Sequence, residues 1–237
     1  MGWLSHNPAL DASPPKVPHR TLTPPTPSEV VKLFKLAQET DPQLAVFVML
    51  AASTGARRGE LIALRRGDMK LERGVVNIER GVVLAKKVLI EQGTKTHQAR
   101  RVTIDSETSS TLRDHLQRQD EQARSIGTSM RRDAFVFTHA VDGSVPLRPD
   151  STTRAFRSLC SRAGIQGVRL HDLRHYVATR LLTSGIDART VAGRLGHRNP
   201  STTLDVYSHF VPESDKSAAE TMSSLFSSAM KETDLGT

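Results

Sequence analysis

The chain has 237 residues, with 33 Lys and Arg against 25 Asp and Glu, a formal net charge of +8, and a single cysteine. That length suits one mid-sized domain or a domain plus an extension, able to bury roughly 70% of its unfolded surface without a disulfide or metal to hold it. Cys160 alone can form neither an internal disulfide nor a cysteine-rich zinc cage, and the longest apolar run, Leu44–Ala52, has nine residues where a spanning helix needs about 20, so the reading is a soluble, intracellular, basic protein.

Residues 1–27 hold seven of the twelve prolines and little apolar periodicity, as a linker does. Thr26-Pro27-Ser28-Glu29 then reads as a helix start: an N-cap threonine, proline at the first helical position and glutamate placed for a capping box. Val30, Val31, Phe34 and Leu36-Ala37 carry that helix on. Pro42 restarts the chain into Leu44–Ala52, apolar all round and therefore expected buried. Thr54-Gly55 breaks it, and Arg58–Leu64 forms a short helix with Leu61, Ile62 and Leu64 inward.

The period then changes. Val75–Ile78, Val82–Leu84 and Val88–Ile90 are β-rich runs and Arg101–Ile104 alternates, so a small, three-stranded antiparallel sheet is expected, with Gly93 and the polar run Thr94–Arg100 as the turn before its last strand. Helices return over Ser106–Ile126, Pro149–Ala163, His171–Ser184 and Asp187–Leu195, closed in turn by Gly127, Gly164, Gly185 and Gly196. A short piece from Pro200 to about His209 and a last helix, Pro212–Met230, with Ala218, Met222, Leu225 and Phe226 near one stripe, finish the chain. The fold class is α+β, mostly helical with one small sheet.

Arginine outnumbers lysine 24 to 9, and its planar fork matches two phosphate oxygens where an ammonium is a point charge. Residues 148–198 carry ten Arg and three Asp, whereas residues 199–237 carry two Lys and six acids. A dense arginine region beside an acidic tail suggests a polyanion-binding face with a segment kept off it.

No Gly-x-Ser-x-Gly, Walker loop or CxxC pair occurs, which removes the common hydrolase, nucleotide-binding and redox motifs. What remains is cationic groups, imidazoles and two tyrosines, Tyr176 and Tyr207. Tyr176 lies in a helical apolar pattern and reads as core, as does Cys160. His171 and Arg174 share a face at a helix start. Taken in order, the motifs are Thr54-Gly55-Ala56-Arg57-Arg58-Gly59-Glu60-Leu61, Thr94-Lys95-Thr96, His171-Asp172-Leu173-Arg174-His175, Leu195-Gly196-His197, and Tyr207. Each is weak alone. Together, in order and spacing from residue 26 to about 215, they resemble the catalytic domain of the tyrosine recombinases, especially phage-type integrases.

That resemblance implies roles. Arg57 and Arg174 would clamp the non-bridging oxygens of a scissile DNA phosphate, Tyr207 would be the nucleophile, Lys95 the general acid to the leaving oxygen and His171 a general acid or base. His197 would hydrogen-bond and position the phosphate, Glu60 would support the site, and His175 would stand behind it. The implied reaction is site-specific recombination, integrating and excising DNA through a 3′-phosphotyrosyl intermediate, with no metal, cofactor or ATP. Its partner would be double-stranded DNA at recombination core sites, bound by a homotetramer that is monomeric when free, with room for an accessory DNA-bending protein. No membrane is involved, and the location would be a bacterial host's cytoplasm and nucleoid. Family members usually place a helical core-binding domain before the catalytic one. Residues 1–25 would then be an interdomain linker remnant, 26–211 the catalytic domain, and 212–237 a C-terminal helix and tail able to exchange between subunits; the chain would be an isolated catalytic domain.

Elementary chemistry agrees. Phosphodiester attack builds charge on equatorial oxygens, which two bidentate arginines stabilise. Tyrosine ionises near 10, so cations or a local base must draw off its proton at neutral pH. The leaving alkoxide is a strong base that a dedicated acid should protonate, and a phosphotyrosine conserves the bond energy for rejoining. Two other readings are open. His171 and His175 have the i, i+4 spacing of a zinc protease helix, although Asp172 replaces the longer glutamate and Arg174 adds a cation. A DNA-binding module without cleavage would not require the full polar set.

Overall fold

The computed structural model describes residues 24–93, 99–197, 199 and 219–225. Its first helix, α1 (Pro27–Thr40), starts as the local chemistry dictates: Thr26 Oγ1 accepts the Glu29 N–H at 3.2 Å while the Glu29 carboxylate accepts the Thr26 N–H at 2.7 Å. Asp41 caps α2 (Pro42–Thr54) by its side chain alone, Oδ1 accepting the Leu44 N–H at 3.0 Å. Helix α2 is buried nearly throughout, from Leu44 to Ala51, and is the hub on which α1, α4 (Ser106–Ser125) and α6 (Asp172–Thr183) pack. Phe47 of α2 meets Phe137 edge-on, ring centroids 4.9 Å apart.

The β region is divided differently from the sequence expectation. β1 (Met69–Lys70), β2 (Val75–Ile78) and β5 (Arg100–Thr103) form the three-stranded antiparallel sheet, in the order β1-β2-β5, with Val75 opposite Thr103. β3 (Arg80–Ala85) and β4 (Val88–Gly93) instead make a separate two-stranded hairpin, Ala85 opposite Val88. Its two-residue turn is Lys86-Lys87, both at positive φ (48° and 68°). That left-handed pair supplies the twist a tight hairpin needs, although neither residue is the usual Asn or Gly. The hairpin therefore closes on itself and leaves β2 to pair with the strand that follows it.

Between α4 and α5 (Pro149–Arg162) an irregular segment docks back on the core, the Val136 N–H donating to Leu64 O at 2.9 Å. Helices α6 and α7 (Ala188–Leu195) enclose a smaller cluster of their own, Val177, Ala178, Val191 and Leu195, distinct from the main core. Half-buried Tyr176 packs against both clusters, and Cys160 is buried, as the sequence reading expects. Residues 219–225 are helical, with Met222 and Leu225 exposed; the remainder of the expected Pro212–Met230 helix, and the piece Pro200 to His209, lie outside the described residues.

Candidate active site

The candidate residues meet where the main core touches the α6–α7 cluster. Gly55 terminates α2 in the left-handed region at φ +67°. A Cβ there would press on Leu195 Cδ2 and come within 3.3 Å of Val177, so glycine lets the end of α7 seat against the end of α2. Thr54 stiffens the break, its hydroxyl donating to Leu50 O at 2.6 Å and accepting from the Ala56 N–H at 3.1 Å. Two residues past Gly55, Arg57 precedes the short helix α3 (Arg58–Ile62). Gly59 holds that helix against the hairpin: a Cβ on it would lie 2.6 Å from Val82 O.

Arg57 and Arg174 converge on adjacent carbonyls at the end of α7. Arg174, in the first turn of α6 and only 4% exposed, donates through Nη1 to Gly55 O at 2.8 Å and to Leu195 O at 2.6 Å. Arg57 Nη2 reaches Gly196 O at 3.4 Å, and its Nη1 donates to Glu60 Oε1 at 2.9 Å. The Arg57 side chain is 26% exposed, so its guanidinium is anchored from behind and open in front. It borders a cleft of about 680 Å³ lined by β3 residues Gly81–Leu84 and by Arg157, Arg169 and His171.

Glu60 is buried beneath Arg57, where its second oxygen accepts the Arg57 backbone N–H at 2.8 Å. Burial alone would raise this carboxyl; the Arg100 guanidinium and the Arg57 amide and charge override it and hold Glu60 below the usual carboxylate range. It is the fixed anion of a cationic site.

His171 immediately precedes α6, in a turn stapled by Arg169 and Asp172, whose charged groups meet at 2.8 Å. Its ring stands edge-on to His175, centroids 4.9 Å apart. His197 follows the left-handed Gly196 (φ +71°), and its N–H closes α7 on Ala192 O at 2.9 Å. His171 is exposed overall, but partial desolvation of its ring, then the charges of His175 and Arg174, push it down to about 4, partly opposed by Asp172. Burial, then Arg174, Arg57 and Arg100, push His197 down to about 4 as well. His175 is lowered by burial too, with Arg169 and Arg174 adding to it against Asp172. Arg174 thus acts on all three imidazoles. At neutral pH they are uncharged, able to accept a proton or donate one N–H to an anion.

The structure therefore brings together Arg57, Glu60, His171, Arg174, His175 and His197. Lys95 and Tyr207 lie outside the described residues. Among the described residues no three His, Cys, Asp or Glu side chains are grouped to hold a metal ion, and no helix is long and apolar enough to cross a membrane. One participant was not expected. Arg100, assigned by sequence to a polar turn, opens β5 with its side chain 7% exposed and paired to Glu60 at 2.6 Å.

Residues 25–213 match the phage integrase family model. The chain belongs to that family. Among its relatives, a tyrosine recombinase XerC-like protein of Caldanaerobacter subterraneus subsp. tengcongensis is 30% identical over 211 residues, covering 84% of this chain and 53% of the relative. The ICEBs1 integrase of Bacillus subtilis is 28% identical over 200 residues, 84% of this chain and 54% of the relative. The chain thus spans about half the length of these curated relatives. In structure this integrase-family chain is similar to a XerA recombinase, with a TM-score of 0.62 at 27% identity over 82% of this chain and 61% of that one. It shares the fold of the Tn1549 transposon integrase solved with transposon right end DNA, with a TM-score of 0.74 at 18% identity over 88% of this chain and 68% of that one.

Proposed function

We propose that this chain breaks and rejoins duplex DNA at specific sites, integrating and excising DNA by transesterification as a tyrosine recombinase. The observation that carries the reading is the convergence of Arg57 and Arg174 on the Leu195 and Gly196 carbonyls, with His171 and His197 beside them. Two fixed guanidiniums offer paired donors to the non-bridging oxygens of one phosphate, where charge grows during attack.

In the proposed step Tyr207 Oη attacks the phosphorus and its proton passes to His171, which is uncharged at neutral pH and so free to take it. The P–O5′ bond breaks, Lys95 protonates the departing oxygen, and the 3′ end remains on Tyr207. Attack by a second 5′ hydroxyl reverses the step without an energy source, since the phosphodiester is exchanged rather than hydrolysed. His197 holds the phosphate with a neutral N–H. Neutralisation by the arginines leaves no charge for a metal or cofactor to supply.

Residues 26–211 would form the catalytic unit, 1–25 a linker, and 212–237 a segment exchanged between subunits of a homotetramer on DNA, with the free chain monomeric. Exposed arginines among residues 148–198, such as Arg154, Arg157 and Arg162, would face the phosphate backbone, an accessory bending protein could shape the site, and the bacterial cytoplasm and nucleoid would be the setting.

A nicked half-site suicide substrate tests this. Wild type should leave a protein–DNA band that survives denaturation and is unaffected by EDTA, and Tyr207→Phe should leave none. A chelator-sensitive band, or one retained in Tyr207→Phe, would sink the reading.

A further inference from the structure

All three nitrogens of the Arg100 guanidinium are engaged, and each bond runs to a site element. Nη2 donates to Glu60 Oε2 at 2.6 Å, Nη1 to Glu60 Oε1 at 3.2 Å, and Nε to Arg194 O at 2.9 Å. The Glu60–Arg100 pair is nearly excluded from water, the two side chains being 4% and 7% exposed. A buried pair of this kind costs desolvation that a packed aliphatic pair would not, so stability alone is a weak reason for it. Geometry supplies a stronger one. Glu60 grips the backbone N–H and Nη1 of Arg57, fixing where that guanidinium points.

The same guanidinium also lies against Gly196, the residue before His197. A Cβ on Gly196 would lie 2.6 Å from Arg100 Nη1 and 3.2 Å from its Cδ, so the left-handed glycine rests directly on it. The carbonyl Arg100 binds belongs to α7, whose next two residues supply the carbonyls that receive Arg174 and Arg57. Arg100 is thus one rigid fork joining β5, α3 and the end of α7, three elements otherwise distant in the chain.

We infer that Arg100 is a positioning residue for DNA cleavage, holding Arg57 through Glu60 and the Gly196–His197 turn by direct support, so that the cationic clamp is set before the phosphate arrives. This rests on the phosphate-clamp reading above. A lysine could keep the charge but could not bond both Glu60 oxygens and the Arg194 carbonyl at once.

The test compares single-turnover cleavage of two suicide half-sites, one with the ordinary scissile phosphate and one with a neutral methylphosphonate at that linkage. A neutral linkage has less charge for a guanidinium to hold, so loss of a clamp matters less on it. Arg57→Ala should lose roughly 10²–10³-fold on the phosphate, by analogy with removal of one oxyanion-hole donor, and clearly less on the methylphosphonate. Arg100→Gln, which touches no substrate, should lose roughly 10²-fold on the phosphate from misplacement and show the same smaller loss on the neutral linkage. Arg100→Lys should fall between it and wild type. Equal losses on both linkages would mark Arg100 as merely structural, and no loss on the phosphate would mark it as idle; either overturns the inference. Should Arg100→Gln fail to melt cooperatively, Arg100→Lys carries the same comparison and the same two contradicting outcomes. Equal losses for Arg57→Ala, or no cleavage by wild type, would overturn the clamp reading itself.

Discussion

Replacing Gly55 with alanine strikes the seam on which the site is built. Two costs follow from the structure. The residue sits at φ +67°, where an L side chain costs roughly 1–2 kcal/mol. The added methyl would also collide with Leu195, fully buried at the end of α7, and overpacking a tight core costs roughly 1–3 kcal/mol more. Gly164 is the internal control: it has nearly the same φ, +68°, with nothing within 4 Å of a built Cβ, so Gly164→Ala carries the conformational cost alone. Any gain from restricting the unfolded chain is common to both and cancels. Gly55→Ala should therefore be less stable than Gly164→Ala by about 1–3 kcal/mol, or roughly 2–12 °C in Tm for a chain of this size. Urea unfolding of the two variants beside wild type measures the difference. Because Leu195 O and Gly55 O together hold Arg174 Nη1, Gly55→Ala should lose DNA cleavage as well. Equal stability of the two variants would refute the close α2–α7 contact and the account of how Arg174 is placed.

Acid should weaken the fold. His171 and His197 stay neutral down to about 4, whereas the unfolded chain protonates each near 6.5 and so binds more protons between those values. Their contribution is complete above about pH 6.5 and is lost as pH falls toward about 4, so the urea midpoint should be lower at pH 5 than at pH 7; an unchanged or higher midpoint would contradict this. Burial, with Glu29 adding to it, pushes the Cys160 thiol up to about 11, so a thiol reagent at neutral pH should label it only after unfolding. Rapid labelling of the native chain would show that the core around it opens. Thr26→Ala removes one half of the α1 capping box and should cost about 1 kcal/mol, read as a Tm lower by roughly 2–4 °C.

Much of this architecture is legible in the sequence because its signals are local. The Thr26–Glu29 capping box, the proline starts at Pro27, Pro42 and Pro149, and the glycine stops at Gly55, Gly164 and Gly196 depend on neighbours within one turn of helix, and each is where the chain pattern puts it. Strand pairing is not local. Val82–Leu84 and Val88–Ile90 read as members of one sheet because nothing in Lys86-Lys87 advertises a left-handed hairpin turn, and the two residues of β1 are too few to show a period. Arg100 was illegible for a similar reason. A cation in a polar run looks solvated until Glu60, 40 residues earlier, arrives to bury it. Glu60, Arg174 and the histidines were legible through the motif resemblance; the lowered proton affinity of the histidines comes from desolvation and neighbouring charges, which no motif encodes.

Peptide mapping by mass spectrometry of the covalent complex trapped on a half-site locates the attacking residue directly. One nucleotide-bearing peptide is expected, joined at Tyr207 to a 3′-phosphate, with a free 5′ hydroxyl on the released strand. An adduct on Tyr176 or any other residue, or a 5′-linked nucleotide, would contradict it.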